Sequence, residues 1–393
     1  MKKVVLAAIL AFSLTAYAQE NSFEDFKKQI FEGINKEKEE FIDYEQQIQR
    51  EFEEYKKIVQ QEYENYKKEL LRYWDTPEIS TKKKYVEYSK NYKVKKVFDF
   101  QNTQLKIEII SDKKPSNTQL KKILKNFITE DKQQAFQHDV LSQRIEKKLK
   151  EKIKHVKTGH IEKKPLISDI VIPSDKSKVD TVVLNLLQNA RIKVRKSKLK
   201  GENIFSLTIQ LPSQRLLIKA KKYKPLAKKH AKKYHLPVSL VLAITHTESS
   251  FNPFARSPVP AYGLMQIVPQ TAGKDATKII FGKPILLSPS FLYNDNNNIQ
   301  VGTTYLYLLY YRYLKDIKNP ISRLYCTIAA YNTGAGNVAR AFTGTTNIKK
   351  AAVVINSMSP SQVYFTLLKK LPYKETRIYL KLVVERLRIY QNI

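Results

Sequence analysis

The chain has 393 residues, which is long enough for two domains that each bury a core. It carries 70 lysine and arginine residues against 37 aspartate and glutamate residues, a formal net charge of +33. This charge favours an anionic partner and leaves nucleic acid, anionic lipid and a carboxylate-rich wall polymer as candidates. The single cysteine, Cys326, excludes an internal disulfide, and we interpret it as a small core residue rather than a nucleophile.

The first eighteen residues have the pattern of a secretory signal peptide. Two lysines precede an apolar run over residues 4–14, and the sequence AYA that follows is a small-x-small cleavage site. We predict a signal peptide over residues 1–18 that is cut before Gln19, with an uncut anchor as the alternative. A lipoprotein needs a cysteine at the cleavage point, and none stands there, so we expect an exported protein without a lipid anchor.

Residues 19–72 are predicted to form one long amphipathic helix, because they are rich in Glu, Lys and Gln and contain no Gly or Pro after Gly33. Their apolar residues follow an eleven-residue repeat, which keeps the stripe nearly straight along a helix. We expect this acidic helix to pack on the basic remainder of the chain rather than on a second copy. The stripe consists of Phe41, Tyr44, Ile48, Phe52, Tyr55, Val59, Tyr63, Tyr66 and Leu70.

Residues 73–212 are predicted to form a small α+β domain. Three segments, KYVEYS, KVKKVFDFQ and QLKIEII, alternate apolar and charged residues and indicate strands with one solvated face. Residues 120–154 have helical spacing, residues 204–211 indicate another strand, and residues 180–189 are apolar without a clear type. Trp74 is expected to cap the core of the sheet.

Three basic runs, at residues 147–157, 191–200 and 219–233, raise the question of nucleic-acid binding. Single-strand binding uses aromatic side chains between the basic ones, and only Tyr223 and Tyr234 meet that condition here. We therefore predict a solvated surface that faces an anionic wall or membrane, and no nucleic-acid partner.

Residues 213–393 are expected to be mainly helical, and Glu248 lies at the end of one predicted helix. Pro237 suits the first turn of that helix, and Glu248 continues its apolar face, four and three residues after Ile244 and Thr245. A carboxyl group against apolar neighbours loses hydration, so its pKa is expected to rise toward that of a general acid. A solvated glutamate at a helix end is the alternative.

The segment after Glu248 is predicted to be an ordered loop that folds back over the helix end, because its prolines and glycine exclude a long helix. Ser257 and Gln266 are the polar groups that such a loop brings to a site. Tyr262 and Met265 form an apolar or stacking wall. Further helices are predicted over residues 299–315, 321–331 and 375–390.

Three sequence blocks stand out in the C-terminal half: ESSFNPFARS with GLMQIVPQTA, then AYNTGAG, then PYKETRIY. Together they resemble the transglycosylase SLT family, the lytic transglycosylases with a goose-type lysozyme fold. The first block, ESSFNPFARS followed by GLMQIVPQTA, starts at Glu248 and matches the family's E-S-x-F-x-P-x-A-x-S and G-L-M-Q-x-x-P-x-T-A patterns. AYNTGAG from Ala330 and PYKETRIY from Pro372 resemble two further family blocks, in the family's order. The resemblance covers residues 214–393 and extends to the transglycosylase C branch of the family.

The resemblance implies a mainly α-helical lysozyme-like catalytic domain at 213–393 and a transglycosylase C-like α+β domain at 73–212. With the long helix predicted before them, we expect an α+β protein overall. It implies cleavage of the β-1,4 bond between N-acetylmuramic acid and N-acetylglucosamine in peptidoglycan strands, with a 1,6-anhydromuramyl end as product. Glu248 would act first as acid and then as base. The implied location is the periplasm, with peripheral contact to the outer membrane or to an anionic wall surface.

The resemblance also implies roles for groups around Glu248. The amides of Gln266 and Asn332 would bind sugar amides, and the Tyr331 hydroxyl would lie near the developing charge. No metal or cofactor is predicted, because His246 and Glu248 face different sides of the helix and no HExxH pattern exists. The implied substrate-binding set is Ser257, Tyr262, Met265, Gln266, Tyr331, Asn332 and Glu375.

Three other functions stay open from the sequence. The same fold can use water as a hydrolytic muramidase, the chain can be a non-catalytic peptidoglycan-binding scaffold, or it can be an exported nucleic-acid binder. Core packing for Tyr331, a turn position for Asn332 and a simple ion pair for Glu375 are the alternatives to substrate contact. Pro258 and Pro260 stand where relatives have a more flexible loop, so neither exo nor endo cleavage is predicted. The sequence predicts no oligomeric state.

Overall fold

The computed structural model describes residues 20–172, 178–212 and 215–392. The predicted signal peptide at residues 1–18 lies outside the described residues. Residues 1–50 and 51–393 form two compact units. In the first unit the described residues, 20–50, are α-helical. All the motifs with predicted chemistry lie in the second unit.

Helix α1, Glu20–Leu70, is 51 residues long and confirms the predicted N-terminal helix. In its part that belongs to the second unit, acidic side chains reach basic partners. Glu69 pairs with Arg144 at 2.6 Å, and Glu62 pairs with Lys148 at 2.5 Å. This part of the helix therefore packs on the protein's own basic region, as predicted. The stripe residues buried there are Phe52, Tyr55, Val59, Tyr66 and Leu70.

Five antiparallel strands form the sheet of the α+β region, in the order β1-β2-β3-β6-β5. Strands β1, β2, β3 and β6 fall on segments that the alternating pattern predicts. Strand β5 falls in the basic run at 191–200, for which the sequence predicts only a solvated surface. Its segment, RIKVRK, alternates apolar and charged residues as β1, β2 and β3 do, so the strand signal was present within the basic run. All six residues are exposed at the sheet edge. The strands are β1 Lys84–Tyr88, β2 Val94–Asp99, β3 Gln104–Ser111, β5 Arg191–Lys196 and β6 Asn203–Gln210.

The helical stretch predicted over 120–154 is broken into three helices. Asp131 and Asp139 each accept a hydrogen bond from a backbone N–H of the next turn, so each starts a new helix. Residues 180–189, of open type in the sequence, are helical. Trp74 is buried and donates from Nε1 to the Tyr92 carbonyl oxygen at 2.8 Å, which confirms its position at the sheet core. The helices of this region are α2 Asn117–Thr129, α3 Lys132–His138, α4 Val140–Lys152, α5 Ser168–Val171 and α6 Val179–Gln188.

The C-terminal region is built around helix α8, Val238–Ser249, which packs against helices α7 and α16. Nine of its twelve residues are buried, so it is a core helix with no wide solvated face. The predicted fold class, α+β with a mainly helical C-terminal region, is confirmed. The helices are α7 Arg215–Lys233, α8, α9 Lys274–Phe281, α10 Pro289–Leu292, α11 Asp295–Leu308, α12 Pro320–Thr333, α13 Ala335–Thr343, α14 Ile348–Asn356, α15 Pro360–Lys370 and α16 Lys374–Tyr390, with π-helical turns at Pro269–Gly273 and Leu309–Tyr313.

Buried ion pairs join the α+β region to the helical region. The ammonium of Lys132 is fully buried, 2.8 Å from Asp295 and 2.9 Å from Glu162. Arg256 in the loop after α8 pairs with Asp139. Strands β4, Val156–Lys157, and β7, Leu286–Leu287, add a parallel pair across the same junction. The predicted domain boundary at residue 213 stays a prediction, since both regions pack into one unit.

Among the described helices, none is both long enough and apolar enough to cross a membrane.

Candidate active site

A groove of about 770 Å³ lies at the C-terminal end of helix α8, and Glu248 lines it. The helix ends sharply because Ser250 and Phe251 take left-handed backbone angles, with φ of 52° and 65°. Ser249 donates from Oγ to the Leu264 carbonyl oxygen at 2.8 Å, which fastens the returning loop to the helix end. Glu248 is therefore presented to the groove from rigid backbone.

The Glu248 side chain is 7% exposed, and burial raises the pKa of its carboxyl group above the ordinary value. Lys82, the Tyr379 hydroxyl and Lys83 act in the opposite direction, and Glu375 adds to the rise. Burial dominates because a buried carboxylate loses the hydration of its charge. Glu248 thus keeps its proton to a higher pH than a solvated glutamate, in agreement with the sequence-based expectation.

Two tyrosines flank the carboxyl group. Tyr331 on α12 donates to the Met265 carbonyl oxygen at 2.9 Å. The Tyr379 hydroxyl on α16 lies beside Glu248 and lowers its pKa, although their geometry is too loose for a full hydrogen bond. Burial, with the nearby Glu248 charge, raises the pKa of both phenols well above the usual value. Both hydroxyls therefore stay protonated and can donate hydrogen bonds at any physiological pH.

The loop residue Gln266 carries an unused acceptor into the groove. Its backbone has φ of 49°, and its Nε2 donates to the Gly263 carbonyl oxygen at 3.1 Å. Its Oε1 is buried and has no hydrogen-bond partner among the described residues. A buried acceptor without a partner costs free energy, so this atom is suited to accept an N–H from a ligand.

Asn298 on α11 holds the same loop in place. Its Nδ2 donates to the carbonyl oxygens of Tyr262 and Leu292, and its Oδ1 accepts from the Met265 N–H, all at 2.8 Å. A Cβ at Gly263 would lie 2.2 Å from Asn298 Nδ2, and Gly263 has φ of 75°. Only glycine fits there, so the loop and the helix form one interlocked wall.

The chain is similar to known proteins over the region that contains this groove. Residues 225–354 match the Transglycosylase SLT domain family. The membrane-bound lytic murein transglycosylase C of Photorhabdus laumondii is 37% identical over 312 residues, which is 77% of this chain and 81% of that protein. The chain belongs to the lytic murein transglycosylase C family.

Other relatives in this family align over a shorter stretch. The protein of the same name from Serratia proteamaculans is 46% identical over 191 residues, 48% of this chain and 52% of its own length, so the match spans about half of that relative. Among solved structures, the 70 kDa soluble lytic transglycosylase from Escherichia coli has 30% sequence identity to this chain. The match covers 43% of this chain and 24% of that protein, with a TM-score of 0.33.

The family motifs place five of the seven predicted binding residues in the groove wall. Glu375 is the most exposed of them, with a side chain 76% exposed at the start of α16. Asn332 accepts from the Thr376 hydroxyl at 2.7 Å, and Ser257 donates to the Val259 carbonyl oxygen within its own turn. The five lining residues are Ser257, Gln266, Tyr331, Asn332 and Glu375.

The other two predicted residues, Tyr262 and Met265, are buried behind the groove wall instead of lining it. The Tyr262 ring packs against Tyr293, with centroids 5.8 Å apart. Met265 packs on α11, where a Cβ at Gly302 would lie 2.5 Å from its Sδ. Both side chains point into the core, so any effect on a ligand passes through the loop backbone.

Sequence reasoning missed three residues at the groove: Lys82 lines it, Asn298 holds its loop and Tyr379 lies beside Glu248. Tyr379 ends the PYKETRIY block, so the motif itself was the available signal. Asn298 belongs to a run of asparagines at a helix start, and it is fully buried, which indicates a structural hydrogen-bond network. Lys82 reaches the groove from the α+β region, and no local pattern marks it.

A group of side chains with metal-ligand chemistry lies in the α+β region, away from the groove. Within the described ranges, Glu87, Glu130 and His138 place ligand atoms within 4.8 Å of one another. This group lies in the α+β region, and Lys96 already pairs with Glu87 while His138 Nδ1 is 2.5 Å from Glu130. These contacts describe an ion-pair cluster that is separate from the groove.

His246, the only histidine near Glu248 along the chain, points to the opposite side of α8. It is hydrogen-bonded to the Tyr390 hydroxyl at 3.0 Å, and burial lowers its pKa to about 3. It is therefore neutral and does not share a ligand with Glu248.

Proposed function

We propose that this protein is a lytic transglycosylase that cleaves the β-1,4 bond between N-acetylmuramic acid and N-acetylglucosamine in peptidoglycan strands. The observation that carries the proposal is the buried Glu248 carboxyl group, with a raised pKa, in an open groove. A general acid at neutral pH needs such a pKa. The relatives' names, which are those of murein transglycosylases, support the same substrate class.

The proposed reaction uses Glu248 twice. Glu248 donates its proton to the glycosidic oxygen as the bond from that oxygen to C1 breaks, and the carbonyl oxygen of the muramyl N-acetyl group bonds to C1. The Glu248 carboxylate then accepts the proton of the muramyl 6-hydroxyl, whose oxygen displaces the N-acetyl oxygen at C1. The product has a 1,6-anhydromuramyl end, no water is consumed, and Glu248 is protonated again.

The shortage of carboxylates in the groove supports this reaction over a two-carboxylate one. Ordinary glycosidases place a nucleophile or base opposite the acid. The other carboxylate among the described lining residues is Glu375, which lies at the exposed rim and pairs with Lys82 at 3.8 Å. We therefore assign Glu375 to substrate binding and leave both proton transfers to Glu248.

The neighbouring polar groups fit a substrate that carries acetamido groups. The unpartnered Oε1 of Gln266 would accept an acetamido N–H, and the Asn332 amide would bind a second sugar amide. Tyr379 would donate toward the charge that develops at the reacting centre, and Tyr331 would do so by turning its hydroxyl proton away from the Met265 carbonyl oxygen. Ser257 would orient the N-acetyl or 6-hydroxyl region, while Tyr262 and Met265 would support the loop from behind.

The proposed location is the cell envelope. The N-terminal sequence predicts export, and the relatives are named as membrane-bound murein enzymes. The net charge of +33 would hold the protein at an anionic wall or membrane surface.

Product analysis tests the function. Purified protein is incubated with murein sacculi, and the released muropeptides are separated and weighed by mass spectrometry, with Glu248→Gln as the control. Anhydromuramyl products in the wild type alone support the proposal. Products heavier by one water would make the protein a hydrolytic muramidase, and binding to sacculi without release would make it a scaffold.

A further inference from the structure

The segment Thr81-Lys82-Lys83, just before strand β1, belongs to the α+β region but is fastened to the end of the helix that carries Glu248. Asn252 Nδ2 donates to the Thr81 carbonyl oxygen at 3.4 Å and to the Lys82 carbonyl oxygen at 3.5 Å. Lys83 Nζ donates to the carbonyl oxygens of Thr247 and His246 at 2.6 and 3.3 Å. The segment therefore has a fixed position at the groove.

Lys82 extends from this segment into the groove and lies between the two carboxyl groups there, those of Glu248 and Glu375. Its Nζ lies 4.0 Å from Glu248 Oε2 and 3.8 Å from Glu375 Oε1. Its side chain is 38% exposed and is part of the groove wall. One ammonium group thus faces both the buried acid and the rim carboxylate.

We propose that Lys82 is a positioning residue of the active site, whose ammonium group holds Glu248 and Glu375 on one side of the groove and supports the Glu248 carboxylate. The inference rests on the proposed function and extends it, because it makes the α+β region part of the catalytic apparatus.

The charge that Glu248 carries between its two proton transfers needs a cation nearby. Lys83 fills this role poorly, because its ammonium group is bound to helix carbonyls and burial lowers its pKa to about 7. From α12 and α16 the groups beside Glu248 are Tyr331, Tyr379 and Glu375. The cation of α16, Arg386, donates to the Thr247 hydroxyl at 2.8 Å and acts on Tyr379 and Lys83. Lys82 is thus the cation that stabilises the carboxylate at neutral pH.

Loss of Lys82 is expected to change the pH dependence of the reaction. A cation favours the charged form of Glu248 and so opposes the rise in its pKa that burial causes. Without Lys82, that pKa rises further, and the protonated acid persists to a higher pH. The alkaline limb of the pH–rate profile therefore moves upward, while the maximal rate falls because the carboxylate is harder to form.

The test compares Lys82→Met, Lys82→Gln and Lys82→Arg in the full chain, with Lys84→Met as a matched control. Lys84 is 43% exposed and pairs with Glu78 at 3.7 Å, away from the groove. The measurements are the pH dependence of kcat/KM for anhydromuramyl-end formation and the thermal melting of each variant. We expect the Met and Gln variants to move the alkaline limb up by about one pH unit and to lower kcat about tenfold.

Lys82→Arg is expected to restore the limb, and Lys84→Met to match the wild type. A limb that stays in place in both neutral variants, with the same rates as the control, overturns the inference. A ¹³C NMR titration of the Glu248 carboxyl in wild type and Lys82→Met separates the two proposals. If the wild type forms no anhydromuramyl ends, the proposed function fails, while the titration still shows whether Lys82 acts on Glu248.

Discussion

Glu248 and Glu375 are two carboxyl groups of one groove, and their surroundings differ in every respect that matters for proton transfer. Glu248 is 7% exposed at the end of a core helix, whereas Glu375 is 76% exposed at the rim. Both face the same ammonium group, that of Lys82. The contrast shows that desolvation, and not residue type or a shared cation, sets Glu248 apart as the proposed proton donor.

Their positions along the helices point the same way. Glu375 lies in the first turn of α16, where the helix dipole stabilises a negative charge. Glu248 lies next to the last residue of α8, where the dipole disfavours a carboxylate. The helix end therefore adds to burial in keeping Glu248 protonated.

The largest effect is expected for Glu248→Gln, which keeps the shape of the side chain and removes the proposed proton donor. Activity on sacculi is expected to fall by about 10²- to 10⁴-fold, the usual contribution of a general acid. Release of soluble muropeptides measures it. Glu385→Gln, an exposed position on α16 outside the groove, serves as control and should match the wild type. An active Glu248→Gln variant would remove Glu248 from the mechanism.

Asn298→Ala removes the hydrogen bonds that hold the loop wall beside Glu248 and leaves Glu375 at the groove rim unchanged. Three buried hydrogen bonds are lost, and loop groups are left unpaired, so the free energy of unfolding should fall by about 3 kcal/mol. Denaturant unfolding measures the change. In the control, Asn297→Ala, a single 3.4 Å hydrogen bond to Phe291 is lost, and the expected change is well under half as large. Equal losses would show that Asn298 has no special role.

Tyr379→Phe removes the hydroxyl beside the buried acid. The rate is expected to fall about tenfold, and the alkaline limb of the pH–rate profile should move up, because this hydroxyl lowers the pKa of Glu248. Steady-state kinetics across pH measure both effects. Tyr331→Phe is the comparison, since its hydroxyl is bound to the Met265 carbonyl oxygen and its loss should affect the rate without the same limb shift.

The buried acid also has a stability cost that the rim glutamate does not share. A carboxyl pKa that is higher in the folded than in the unfolded state means that folding loses stability as the pH rises through the unfolded value. Glu248→Gln should therefore melt at a higher temperature than the wild type at neutral pH, and the gap should close below about pH 4, where both states are protonated. Thermal melts at the two pH values test this, and a gap independent of pH would contradict it.

Glu375→Gln is expected to have the smallest effect, a loss of less than about threefold in kcat/KM, because an exposed ion pair contributes little. The same sacculus assay measures it. A loss as large as that of Glu248→Gln would show that the groove uses two carboxylates.

The sequence predicted the buried half of this comparison better than the exposed half. Helical spacing was enough to turn Glu248 toward apolar neighbours, since a core helix repeats every 3.6 residues. Loop side chains have no such period, so Tyr262 and Met265 were expected in the wall and lie behind it. Lys82 could not be predicted, because a tertiary contact brings it to the groove.

The fold shows the same limit. The segments of β1, β2, β3 and β6 alternate apolar with polar or charged residues and could be predicted, although β1 and β3 are buried on both faces. The same alternation in β5, RIKVRK, lies inside a basic run and was interpreted as a solvated surface. The breaks between α2 and α3 and between α3 and α4 depend on aspartate caps inside a stretch of otherwise helical spacing. A local sequence pattern predicts residues that are buried at a regular period. It misses features that depend on pairing with distant parts of the chain.

The most direct test of the central claim is the carboxyl pKa of Glu248 itself, followed by ¹³C NMR in the intact protein and assigned by the signal missing from Glu248→Gln. The account predicts a pKa above the value of about 4.3 for a solvated glutamate. A pKa at or below that value would show that burial does not make this group a proton donor, and the proposed mechanism would be wrong.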